Sequence, residues 1–297
     1  MRHQLPTIGA ALLAALLAST ATAQDAAPAP NDAAPREASP AIAAGDWRTV
    51  APDNLLVIDT SKGRILVEMT PEAAPGHVAR IRLLAKAGFY DGVPWHRVID
   101  GFMAQTGDPL GTGEGQSWHP DLKAEFTFRR DAQTPFVAVA APAGALVGFV
   151  QSLPVQTQPD AVMRTTADGK VHAWGLYCPG VAGMARDDAP DSANSQFFLM
   201  RQPYPALDKR YTVWGRVVHG QDVVRALKFS PNPDGIVTEP DRMTRVHVAG
   251  DMAEGERPSV RVLNGSSAPF RALVETTRAA RGADFSVCDI DLPVEVN

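Results

Sequence analysis

Short runs of Leu, Ile, Val and aromatic residues, each stopped by Gly, Pro or Asp, recur from Leu55 to Leu263, and this punctuation limits the fold more than any other feature. Such runs are too brief for amphipathic helices and match the usual strand of about five or six residues. Residues 54–70, NLLVIDTSKGRILVEMT, set the pattern: two apolar runs broken by Asp59-Thr60-Ser61-Lys62-Gly63, which reads as a β-hairpin with a Gly-containing turn. The spacing changes after Thr70-Pro71-Glu72, where Val78, Ile81, Leu84 and Ala85 recur at helical steps. Pro71 just inside the start and Gly88 beyond the end punctuate a helix between them. Further strands are expected over Gly92–Ile99, Gly101–Gly107, Val181–Ala185, Ser195–Met200, Tyr211–Val217 and Arg242–Val248, with a short helix over Asp222–Leu227. Many short strands, glycine-rich turns and few helices predict an all-β fold with helical covers, a closed antiparallel barrel.

Outside this pattern the chain changes character. Residues 1–23 carry Arg2 and His3, an apolar run from Ile8 to Leu17, and then Ala21-Thr22-Ala23, the small-x-small pattern of a cleavage site. They are expected to act as a secretory signal, which places the processed chain in the periplasm. The apolar run falls short of the roughly 20 residues that span hydrocarbon, so no integral membrane insertion is expected after processing. Residues 24–50, opening with Ala, Pro, Asp and Asn, read as a flexible spacer. The folded domain is expected over 51–251, followed by a C-terminal extension, 252–297, in which Val260–Leu263 reads as a strand and Pro269–Arg281 as a helix. Apolar residues make up 45% of the chain, enough for a core that needs no metal. The formal charge of -5 comes without a basic stripe, so nucleic acid is not an expected partner. Cys178 and Cys288 are the only cysteines. After export they would either form one bridge, stapling the tail to the domain, or remain two separate thiols, and spacing alone leaves both open.

Three longer stretches carry a resemblance. WHRVIDGFMAQTGDPLGTGEG (95–115), GMARDDAPDSANSQFFLM (183–200) and ALDKRYTVWGRVVHG (206–220) are similar, in order, to the signatures of the cyclophilin-type peptidyl-prolyl cis-trans isomerases, and residues 54–90 resemble that family's beginning. The resemblance implies a closed eight-stranded antiparallel β-barrel capped by two α-helices, with a substrate groove on its outside. It implies Arg97 as the catalytic arginine and Phe102, Met103, Phe198 and Leu207 as walls and floor of a proline pocket. Gln105 and Gln196 match groove residues that engage substrate backbone, and Ala185 and Arg186 match a segment whose backbone pairs with the peptide. Two positions depart from many eukaryotic members: Ala206 stands where they carry a pocket Trp and Tyr211 where they carry a groove His, and this implies weak cyclosporin binding. No cofactor and no metal are implied, and the expected partners are unfolded or proline-containing client proteins.

The chemistry of these residue types agrees. Rotation about an X-Pro bond must break amide resonance against a barrier of roughly 18–20 kcal/mol, and no covalent bond is made. A fixed donor near the prolyl nitrogen helps, and a guanidinium offers several in a rigid fork. An apolar cavity must also hold the ring, a task suited to Phe102, Met103 and Phe198. By the two-residue period of a strand, Gln105 shares a face with Met103 and Gln196 with Phe198, while Phe197 points to the interior. A hydrolase would need a base and a nucleophile, and His96 faces away from Arg97 on the same strand, so it reads as structural. HExxH, CxxC and GxSxG are absent. The serious rival is a binding module of the same fold, a catalytically weak proline-peptide-binding chaperone or envelope-assembly factor. Residues 130–170, apolar and then polar, are too long for a structureless loop and predict a hairpin or folded flap that either borders the groove or packs away from it.

Overall fold

The computed structural model describes residues 41–297, so the expected signal segment and residues 24–40 of the spacer lie outside the described residues. The described chain opens with strands β1 (Trp47–Thr49), β2 (Leu55–Thr60) and β3 (Gly63–Met69), helix α1 (Pro75–Lys86), and strands β4 (Arg97–Ile99) and β5 (Met103–Thr106). Five strands follow without an α-helix between them: β6 (Phe128–Arg130), β7 (Phe136–Ala140), β8 (Leu146–Val150), β9 (Leu153–Thr157) and, after a short 3-10 turn at Asp160–Thr165, β10 (Val171–Gly175). The chain then runs through β11 (Val181–Met184), β12 (Phe197–Met200), β13 (Val213–His219), α2 (Gln221–Ala226) and β14 (Met243–Val248). The tail adds β15 (Val260–Leu263), α3 (Ala268–Arg281) and β16 (Val294–Val296).

The hairpin expected from residues 54–70 is β2–β3, with register Thr60↔Gly63 and a turn at Ser61-Lys62. Side chains on β2 alternate: Leu56 and Ile58 enter the main core, whereas Leu55 and Val57 pack on the other face. Helix α1 buries Val78, Ile81, Leu84 and Ala85 as its periodicity predicts, but begins at Pro75 rather than near Pro71. A proline inside a helix would lose a backbone bond and clash with the preceding turn, so Pro75 can only open one.

Eight strands form one antiparallel sheet in the order β14-β2-β3-β13-β11-β12-β5-β4. It curls around Ile58, Ile65, Val67, Trp95, Phe197 and Trp214, with α1 and α2 contributing Ile81, Leu84 and Val224 to the same core. The strand number and pairing sense match the expectation, but the closed barrel does not. The ladder stops at β14 and β4; between them run only the isolated bridges Pro94↔Arg242 and Arg97↔Ile236 and scattered backbone hydrogen bonds, such as Trp95 N–H to the Asp241 carbonyl and Val237 N–H to the His96 carbonyl, leaving a half-barrel. Pro94 has no N–H to donate, and between the two bridges residues 95–96 lie opposite the longer run 237–241, so the register breaks and no continuous ladder forms there. The same proline shortens β4 from the expected Gly92–Ile99 to three residues.

Two further sheets cover the outside. Residues 128–175, expected as a hairpin or flap near 130–170, form a five-stranded antiparallel sheet in the order β6-β10-β9-β8-β7. Its Phe149, Val150, Leu153 and Val155 share a core with Val181, Phe198 and Val213 of the main sheet and with Phe270 and Val274 of α3. The tail also docks: β15 pairs with β16 on one side and β1 on the other, over Leu55, Val57 and Leu66. A spacer ending at residue 50 is therefore corrected, because Trp47–Thr49 is a strand held by Arg261–Leu263. Cys178, after β10, and Cys288, before β16, are joined in a disulfide with their Cα atoms 5.1 Å apart.

Candidate active site

The turn between β4 and β5 folds Arg97 directly opposite Gln105, and β5 pairs Gln105 with Phe198 of β12. Residues opposed in neighbouring strands project on one face, so three strands deliver a cation, an amide and a ring side by side. Arg97 Nη1 donates to Gln105 Oε1 at 3.1 Å, and Gln105 Nε2 donates to Gln196 Oε1 at 3.0 Å. Gln196 Nε2 in turn donates to the carbonyls of Gly113 and Gly115, at 2.8 and 2.9 Å. Because a guanidinium only donates, it fixes the orientation of both amides in this relay. The glycine-rich loop that ends the relay is organised by Asp108, whose carboxylate accepts from the backbone N–H groups of Leu110, Thr112 and Gly113. Burial pushes the Asp108 carboxyl up, but these backbone donors outweigh it and hold the group below its ordinary range. Gly107 has φ +88°, and a Cβ there would meet the Ser195 carbonyl at 2.3 Å, so only glycine lets the loop leave β5 against β12.

Arg97 is half-buried, and its Nε donates to the Asp234 carbonyl at 2.8 Å. Among the described residues Nη2 has no hydrogen-bond partner, which leaves one N–H fork of a fixed guanidinium available. Burial pulls its pKa down while Asp234 and Tyr211 oppose the change, and an arginine so placed stays charged at neutral pH.

A cavity of about 200 Å³ opens beside this fork, lined by Arg97, Phe102, Met103, Gln105, Ala185, Arg186, Phe198, Leu207 and Tyr211. A second of about 220 Å³ shares Gln105, Ala185 and Arg186 and continues past Gln196 to Glu114, Gln116 and Asn194. Together they make a groove with Phe102, Met103, Phe198 and Leu207 at one end and a polar lining at the other. Every site residue expected from the sequence lies in one or both parts. Tyr211 packs edge-on to Phe198, with ring centroids 6.2 Å apart. The Arg186 guanidinium lies 4.4 Å over the Tyr211 ring and 5.5 Å from Phe126, and its Nε and Nη2 donate to the Arg210 carbonyl. No residue of the five-stranded insertion lines either cavity. His96 is buried next to Arg97, and neither of its ring nitrogens has a hydrogen-bond partner among the described residues. Among the described residues no group of His, Cys, Asp and Glu could hold a metal ion.

The sequence did not point to Phe126, which backs Arg186, nor to Tyr204, whose ring sits 4.6 Å from Phe102. Nor did it single out Tyr177, stacked on Phe198 with centroids 5.7 Å apart and rings inclined by 24°. Tyr177 and Phe126 border the insertion, where no run is long enough to carry a period.

The family model described as "Cyclophilin type peptidyl-prolyl cis-trans isomerase/CLD" matches residues 55–248. A probable peptidyl-prolyl cis-trans isomerase of Brucella suis is 34% identical over 212 residues, 67% of this chain and 85% of that protein. Peptidyl-prolyl cis-trans isomerase B of Bacillus subtilis is 30% identical over 187 residues, 63% of this chain and 92% of its own length. Among solved structures, a crystal structure of cyclophilin AquaCyp293 from Hirschia baltica superposes with a TM-score of 0.76 at 34% identity, covering 84% of this chain and 93% of that one.

Proposed function

We propose, from the premise that this chain belongs to the cyclophilin-type peptidyl-prolyl cis-trans isomerases, that it turns over X-Pro bonds of exported proteins in the periplasm and so assists their folding. The enzyme class follows from the family. The observation that carries the residue-level reading is one free fork of the Arg97 guanidinium at the edge of the cavity walled by Phe102, Met103, Phe198 and Leu207. A prolyl ring seated among those side chains puts its nitrogen within reach of the fork. As the bond twists, conjugation is lost and the nitrogen lone pair becomes an acceptor that Arg97 can serve. This lowers the barrier only because the hydrogen bond is stronger in the twisted state than in either planar one. Gln105 and Gln196, already oriented by the relay, hold the peptide backbone on the polar side while the apolar side anchors the ring. The reaction calls for no cofactor and no metal on this reading.

Arg97→Ala should lower kcat/KM for a proline peptide by about a hundredfold or more, the usual scale for losing a preorganised donor, with the peptide still bound. A protease-free isomerisation assay checks this, and equal acceleration by both proteins would remove Arg97 from the mechanism. The chaperone reading wins if neither protein accelerates the reaction while both bind the peptide. Export and the role in folding are supported by residues 1–23, whose pattern is that of a secretory signal, and by the long-lived cis bonds of unfolded chains, roughly 10–30% of X-Pro bonds. Refolding of a proline-limited exported protein should quicken in its presence; an unchanged slow phase counts against this part. Weak cyclosporin binding is proposed on Ala206, which leaves the groove without a large indole at that position.

A further inference from the structure

We propose that Tyr177 is a positioning residue for the proline pocket, supporting Phe198 from behind, and that the Cys178–Cys288 bridge keeps it in place; the inference rests on the isomerase reading of the groove. Phe198 is the ring on which that pocket closes, and two aromatic neighbours fix it. Tyr211 meets its face edge-on from the groove side. Tyr177 stacks on it as well, only 1% exposed and lining neither cavity, so its ring acts on the pocket through Phe198 and not by touching the substrate.

The space around this stack is closed. A Cβ on Gly183 of β11 would stand 2.5 Å from Tyr177 Oη and 2.6 Å from Phe198 Cζ, so both rings already press against bare backbone. The Tyr177 main chain is fixed as well. Its N–H donates to Asp208 Oδ1 at 2.9 Å and its carbonyl accepts from the Tyr204 N–H at 2.8 Å. Those bonds clasp the segment that carries Leu207, another wall of the pocket. The next residue, Cys178, is fully buried and covalently joined to Cys288, 110 positions away in the tail. Insertion and tail therefore converge on the one residue behind the pocket floor. Tyr177 Oη is buried without a hydrogen-bond partner, so the ring and not the hydroxyl supplies the support.

The test is the dependence of isomerisation rate on peptide concentration for the full chain. Tyr177→Leu should raise KM about tenfold, the discrimination one misplaced apolar contact carries in a pocket, with kcat nearly unchanged. Tyr177→Phe keeps the ring and should restore the native KM. Reducing the bridge, verified by thiol counting, or substituting Cys288→Ser should move KM the same way, and reduction should add little to Tyr177→Leu because both act through one contact. A folded Tyr177→Leu protein with native KM overturns the proposal, as does reduction that shifts KM equally with and without the Tyr177 ring. Should Tyr177→Leu fail to fold, an unchanged KM in both the reduced native chain and Cys288→Ser overturns it. A native chain that accelerates nothing would instead sink the isomerase reading, and peptide affinity then replaces KM in the same comparison.

Discussion

His96 and Arg97 are neighbours with opposite tasks. Burial pushes the His96 imidazole below its ordinary pKa, with Asp108 partly opposing. The unfolded chain binds its proton from about pH 6.5 downward and the folded chain only at lower pH. The stability tied to neutral His96 is therefore complete above about pH 6.5 and is lost as pH falls towards the folded pKa. Urea midpoints measured from pH 8 to pH 5 should decline in the native protein and decline less in His96→Phe, whereas equal slopes would clear His96 of the effect. Arg97 stays charged throughout, so kcat/KM of the folded protein should be flat over the same window. At this scale the sequence was informative where a strand's two-residue period applies: Gln105 beside Met103, Gln196 beside Phe198, Phe197 turned inward. It was silent on Tyr177, whose partners Phe198, Asp208 and Cys288 are brought to it by tertiary folding.

Elements were legible in proportion to their length. Helix α1 and the β2–β3 hairpin declared themselves through periodicity and turn residues, and α3 lies within a residue of its expected span. Strand β1 did not, because three residues carry no period and composition assigned them to a spacer. It is nevertheless firmly held. Arg48 donates through Nη1 and Nη2 to both oxygens of Glu68 on β3, at 2.5 and 2.7 Å, and Glu68 is fully buried. Arg48→Ala would strip that enclosed carboxylate of both hydrogen bonds and leave Arg216, its register partner on β13, as the cation opposite it, at a cost of up to about 3–5 kcal/mol. Denaturant unfolding should show the loss, and Arg48→Ala together with Glu68→Gln should recover part of it; a loss of under about 1 kcal/mol would class the pair with ordinary surface bridges. The half-barrel was hidden for a different reason: the family pattern implies closure, and the interruption lies in Pro94 and in the extra residues between Ile236 and Arg242 on the facing segment.

At the scale of the whole molecule, the insertion, the tail and β1 cover the catalytic sheet without lining the groove, the insertion and α3 sharing one core with Phe198, and the bridge ties the tail to the body. In the chain-entropy account, closing 110 residues contributes about 5 kcal/mol by restricting the unfolded chain. Reduction under native conditions should then lower Tm by about 10 °C or more, a shift read by calorimetry with and without reductant. A Tm that does not move would mean the wrapping layers hold themselves. The pairing of Trp47–Thr49 with Arg261–Leu263 also dictates a timetable. Although β1 leaves the ribosome among the first of the described elements, its partner strand is made more than 200 residues later, so it must wait, unpaired, through nearly the whole of synthesis. The catalytic sheet is complete once β14 is made, and the sheet β1-β15-β16 can be assembled only afterwards.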